Sequence, residues 1–311
     1  MTQPSTNVYP PLAPWHRKLL AAAAICIILL IAMGGVLCAT HSIRTCPDWP
    51  GCFGKIVPPL QTSPILEYTH RVLAALSGLL ILASLVAGLA RARRVRWIAL
   101  PPLVAIPLLI AVSFFGATVV LHGLAAGWAA VDVGSALGVA ALIVTTAAIA
   151  RARRLRPDLP DRLAFNGQLG RLALATLILV YGIFVSGVLV TGADSLTGCL
   201  GWPIYSLSQF RTDGHPVGDA LRLAASLLAL GMIGALLARV RVMGKRMPVA
   251  FRAAAWIGAL LVLELLLQPV LQIYHYNVYL RVAYSVIAAP LWGLLALLVT
   301  EIGIEGSLSA D

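Results

Sequence analysis

The stretch Glu67-Tyr68-Thr69-His70-Arg71 places a carboxylate, an imidazole and a guanidinium in the first turns of an apolar segment that continues to about Ala90. Charge inside a bilayer is costly, roughly 2.5–3.5 kcal/mol per residue at a helix centre and less near the ends. Glu67 and His70 are three apart, so a helix puts them on one face. A carboxylate and an imidazole on one face of a buried helix suit a metal-centred cofactor and its proton chemistry. The competing reading is a polar trio seeking the water interface.

Ionisable groups within membrane segments are functional candidates by default, and the chain holds few others. Asp132 starts the fourth apolar segment, on the same side of the membrane as His70. Glu264 lies within the seventh, where a structural hydrogen bond to a neighbouring helix is expected. A neutral imidazole is a common haem ligand, although a lone His in an apolar helix is more often a satisfied core residue. His122 and His275 fall at segment ends, where solvation is the default, and His16 and His41 carry no signal. No Walker-type phosphate loop occurs, and most glycines lie within spans, where they permit close helix packing.

The elements that must hold these residues are membrane helices. Of 311 residues, 60% are hydrophobic and only 11% charged, against about 25% charged in soluble domains. Eight apolar stretches reach the roughly 20 residues a span needs, near 19–39, 65–90, 97–121, 129–150, 170–191, 217–238, 249–273 and 279–301. The net charge of +11 is no sign of nucleic-acid binding, because the basic residues form short runs between spans. Arg17 and Lys18 precede the first span; Arg91, Arg93, Arg94 and Arg96 follow the second; Arg151, Arg153, Arg154, Arg156 and Arg162 follow the fourth; Arg239, Arg241, Lys245, Arg246 and Arg252 separate the sixth and seventh. The alternate loops carry only Arg44, Lys55 and Arg211. By the positive-inside rule both termini are cytoplasmic and the protein is a multi-pass component of a bacterial plasma membrane. No cleavable signal or transit peptide is expected.

That orientation puts Cys46 and Cys52 in an outer loop, flanking Pro-Asp-Trp-Pro-Gly. Outside the cytoplasm such a pair reads as a disulfide, and a metal would need ligands that are absent nearby. Cys26 and Cys38, in or at the end of the first span, read as small packing residues. Cys199 lies alone in a later loop.

The two halves echo one another. Cys46-Pro-Asp-Trp49-Pro50 is matched 153 residues later by Cys199-Leu-Gly-Trp202-Pro203. Arg71 matches Arg222 at an offset of 151, and His122 matches His275 at 153. A near-constant offset across a loop and two spans indicates a duplicated four-helix unit, a kind of unit that often houses cofactors. The expected fold is therefore an all-α integral membrane protein of eight helices in two tandem bundles: a tail over 1–18, a unit over 19–150, a basic linker over 151–169, a second unit over 170–301 and a tail over 302–311. The second unit has Gly218 and Leu221 where the first has Glu67 and His70, and Tyr205 where it has the second Cys, so the chemistry is expected in the first.

Cys46-Pro-Asp-Trp-Pro-Gly-Cys52, then Pro58-Pro59 and Glu67-Tyr-Thr-His70-Arg71, with the echo Gly201-Trp202-Pro203, resembles the heme A synthase family over nearly the whole chain. The resemblance implies oxidation of the C8 methyl of haem O to a formyl group for terminal oxidase biogenesis, with oxygen from water. It implies substrate haem in one four-helix unit and a b haem in the other. His70 would ligate haem iron, Glu67 would be catalytic, and the Cys46–Cys52 pair would be redox-active or structural. Haem O synthase and terminal oxidase subunits are the implied partners. The family places a haem-ligand His on four spans; here only His70 matches. Asp132 stands on the fourth span, Leu221 on the sixth and Tyr284 near the position on the eighth. The losses in the second half argue against a b haem there. Asp132 or His122 is the candidate second ligand, and Arg71 joins His70, Asp132 and His122 as a candidate cofactor-binding residue. Two other functions suit the same scaffold: a non-catalytic haem-binding protein, and an accessory subunit of a membrane respiratory complex.

Overall fold

Proline and glycine set several of the helix limits in the computed structural model, which describes residues 12–123, 125–190, 196, 198–202, 216–244 and 246–308. Pro14 opens α1 (Pro14–Ala39) and Pro248 opens α7 (Pro248–Ile273), where a missing N–H costs nothing. Gly123, at a φ of 76°, ends α3 (Arg96–His122). The remaining helices are α2 (Thr62–Arg91), α4 (Ala126–Leu155), α5 (Gln168–Val190), α6 (Pro216–Val242) and α8 (Val278–Leu308). All eight are long and apolar enough to cross a membrane, as the eight hydrophobic stretches require. No strand occurs among the described residues; a bridge between Cys52 and Lys55 is the one β-type pairing found there. Pro203, Tyr205, Arg211 and Lys245 lie outside the described residues.

Helix contacts form two rings. Helix α1 touches α2 and α4, and α3 touches α2 and α4; in the second half α5 touches α6 and α8, and α7 touches α6 and α8. Between the rings, α1 packs on α8, α4 on α5 and α4 on α8. Exchanging the halves turns the first contact into the second and leaves the third unchanged, the pattern expected of tandem units. Helix α8 is the most enclosed: 67% of its most apolar window is buried, against 6% for α3. Most of α3 therefore lies at the surface of the chain, and protein surrounds α8.

Polar side chains and one close approach fix the central seam. The Trp292 indole N–H donates to the Leu137 carbonyl (2.9 Å), and Thr145 and Thr300 share a hydrogen bond of 2.9 Å. A Cβ on Gly35 of α1 would lie 2.8 Å from the Ser285 carbonyl oxygen, so α1 and α8 cross there only because the residue is glycine. At the arginine-bearing end, Arg151 pairs with Glu301 and Arg156 with Glu305, tying α4 to α8. Asp161 in the connection after α4 accepts the Arg96 amide (2.6 Å), satisfying a donor at the start of α3.

Candidate functional site at the disulfide end of the first bundle

The loop between α1 and α2 is closed by a disulfide between Cys46 and Cys52, with Cα atoms 4.8 Å apart. Inside the ring so formed, the Asp48 carboxylate accepts the amides of Phe53 and Gly54, each at 2.6 Å. The Gly54 amide, followed by that of Phe53 and by the Arg71 guanidinium, holds the Asp48 carboxyl below its ordinary range despite some desolvation. Phe53 and Gly54 both adopt positive φ, which turns the chain tightly beneath that carboxylate.

Glu67 and Arg71 strap this loop to α2. Glu67 Oε2 accepts the Thr45 amide (2.6 Å), the Thr45 hydroxyl (2.9 Å) and the Cys46 amide (2.8 Å). Its other oxygen pairs with Arg71 Nη2 at 2.6 Å, an i to i+4 contact in which the side chains are only 5% and 12% exposed. Arg71 Nη1 donates to the carbonyls of Asp48 (2.7 Å) and Gly51, and Nη2 approaches that of Cys46 (3.5 Å). Both residues expected to serve a cofactor thus have protein partners in the loop.

His70, one turn from Glu67, is different. Its Nδ1 is buried with no hydrogen-bond partner. A side chain at Gly34 of α1 would begin 3.6 Å from His70 Cε1, which places the ring against that helix. Asp132 on α4 likewise has a buried Oδ1 without a partner. No hydrogen bond joins His70 to Asp132. His122 is exposed at the end of α3. Among the described residues no three His, Cys, Asp or Glu side chains converge to hold a bare metal ion.

The second outer loop is anchored by other means. Its Trp202 is buried; the Trp202 amide donates to Glu264 Oε1 on α7 (3.0 Å), and the Tyr284 hydroxyl on α8 donates to the Trp202 carbonyl (2.7 Å). Glu264 therefore makes a structural hydrogen bond as expected, but to a loop backbone. A Cβ at Gly201 would come within 2.5 Å of the Tyr284 ring, so loop and ring are in tight contact. Leu221, at the sixth-span ligand position, is 67% exposed. Arg222, the counterpart of Arg71, approaches the Ile183 carbonyl of α5 (3.4 Å).

Two features escaped the sequence reading. Cys38 and Cys199 are not a packing residue and a lone thiol: they form a second disulfide, with Cα atoms 5.5 Å apart across 161 residues, joining the two halves. Arg281 Nη2 and His41 Nε2, 2.7 Å apart, join them again nearby. The common outer position of both cysteines was the available signal, but only the tertiary fold brings them together. The other is His16, which is buried at the opposite end of α1.

These features define a class: an eight-span membrane protein whose first bundle carries a disulfide-closed loop strapped to the helix that bears a histidine with an unpartnered ring nitrogen. A family model described as cytochrome oxidase assembly protein matches residues 17–296. The chain belongs to this COX15-CtaA family of cytochrome oxidase assembly proteins. It is 24% identical over 265 residues to a protein named heme A synthase from Halalkalibacterium halodurans, covering 81% of this chain and 85% of the relative. It is 29% identical over 293 residues to another of that name from Symbiobacterium thermophilum, covering 88% and 90%. A 71-residue stretch is 38% identical to a protoheme IX farnesyltransferase from Haloarcula marismortui, covering 23% of this chain and 15% of that protein.

Proposed function

We propose that this protein oxidises the C8 methyl group of haem O to the formyl group of haem A, and that the substrate binds in the first bundle on His70. The observation that carries the proposal is the buried, unpartnered Nδ1 of His70 beside the strapped loop. An orphaned buried polar atom costs about 1–3 kcal/mol unless something else engages the ring. The imidazole and the orphaned Asp132 oxygen on α4 suit a porphyrin and its iron. Among the described residues of the second bundle, Leu221 offers no ligand atom and the Tyr284 hydroxyl is committed to Trp202, which argues against a b haem there.

Methyl to formyl takes oxygen from one water and releases four protons and four electrons, the electrons passing to an external electron acceptor. Glu67 is the candidate to accept protons. Its oxygens are held by Thr45, Cys46 and Arg71, so protonation would loosen the Cys46–Cys52 loop and couple proton transfer to loop position. The same saturation favours a second reading, in which Glu67 and Arg71 only hold the loop and the protein binds haem without altering it.

The arginine-rich end is proposed to face the cytoplasm and the disulfide end the oxidising side of a bacterial plasma membrane. The farnesyltransferase similarity supports a partnership with the enzyme that supplies haem O. The test is pigment extraction from cells making haem O, with the protein wild type, His70→Ala or Glu67→Gln. Haem A with the wild type and its loss in both variants supports the enzyme. Bound haem that remains haem O supports the second reading, and no bound haem removes both.

A further inference from the structure

A cavity of about 600 Å³ opens at the arginine-rich end, between the start of α1 and the ends of α2 and α4, remote from the His70 loop. Arg91, Arg93, Arg94 and Arg153 line it together with His16, and no acidic side chain is in its wall. Leu12, Leu89 and Val95 supply an apolar side. His16 is 1% exposed, and its Nε2 has no hydrogen-bond partner. Asp161, which engages Arg153 of this cluster at 3.5 Å, is shared with the backbone amides of Arg96 and Trp97. The cavity is therefore strongly cationic and holds a buried donor or acceptor in need of a ligand.

Its depth in the membrane identifies the ligand's class. Trp15 is 46% exposed, stacks on His16 with ring centroids 5.4 Å apart, and has the Arg91 guanidinium 5.4 Å over its ring. An exposed Trp paired with Arg at the end of a span belongs at the headgroup level. Basic pockets between helices at that level suit phosphate-bearing lipid headgroups. We infer that this cavity binds the headgroup of an anionic phospholipid, its phosphodiester among Arg93, Arg94 and Arg153 and its polar tip toward His16.

The test is native mass spectrometry of the full-length protein exchanged into mixed micelles of phosphatidylglycerol and phosphatidylcholine. Retained phosphatidylglycerol in clear excess is expected. With roughly 1 kcal/mol per arginine at a membrane surface, Arg93→Gln/Arg94→Gln should lower that preference about thirtyfold. His16→Leu, which leaves the arginines in place, should also lower it. Arg239→Gln/Arg241→Gln, on the same end but outside the cavity, should leave it unchanged. Equal retention by the Arg93/Arg94 variant and the wild type overturns the inference, as does an equal fall in the Arg239/Arg241 control. Displacement of the lipid by millimolar inorganic phosphate would assign the cavity to a free anion and overturn it too.

Discussion

The α1–α2 loop and the α5–α6 loop solve one problem in different ways. Each must fix an irregular backbone at the membrane edge, and each uses a buried glutamate as acceptor. In the first bundle the acceptor is Glu67 on α2, helped by Arg71 on the same helix. In the second it is Glu264 on α7, helped by Tyr284 on α8. The first strap comes from one helix and leaves His70, on that helix, with a free ring nitrogen. The second draws on two helices and uses the hydroxyl that stands near a ligand position. The difference teaches that the second loop is held by polar groups from two helices, whereas the first is held from one helix that also carries an imidazole with an unengaged nitrogen.

The largest effect should come from His70. His70→Ala should abolish haem A formation while leaving the amount of protein in membranes unchanged, checked by pigment extraction against an immunoblot. Glu67→Gln comes next. Breaking a buried ion pair on one side costs about 3–5 kcal/mol. It should release residues 45–54, seen as faster hydrogen exchange in that loop with the second loop unaffected. Cys38→Ser should separate the halves at their outer ends. Its loop is long, so the chain-entropy model puts the loss at a few kcal/mol. Non-reducing peptide mapping of the wild type should recover Cys38 joined to Cys199, Cys46 joined to Cys52, and Cys26 as the free thiol. Tyr284→Phe removes a single hydrogen bond and should lower thermal stability by about 1 kcal/mol with no change in haem A formation.

The smallest effect is a pH dependence. The Asp48 carboxyl lies below its ordinary value of 3.8 in the folded loop. Its contribution is complete above that value and is lost as pH falls through the lower, folded one. Acid loosening of the loop, followed by exchange at the Phe53 and Gly54 amides, should begin only below about pH 4.

The spans were legible because a bilayer demands about 20 apolar residues in each, a constraint that needs no tertiary information. The Cys46–Cys52 pairing was legible because the two residues are six apart in one polar loop between spans. The pairing of Cys38 with Cys199 was not, since nothing local distinguishes a cysteine at a helix end that packs from one that meets a distant loop. Glu67 and Arg71 were found as unusual residues, but their partners are backbone amides and carbonyls of the loop, which carry no sequence signature. His16 was passed over because it reads as part of the N-terminal tail until α1 is seen to start at Pro14 and residues of α2 and α4 to surround it.

The central claim is that one bundle binds haem and the other does not. The most direct measurement is the haem content of the purified protein, by pyridine haemochrome, for the wild type, His70→Ala and Tyr284→Phe. One haem per chain, lost with His70→Ala and kept with Tyr284→Phe, is the predicted result. Two haems per chain, or a Soret band that survives His70→Ala, would contradict it.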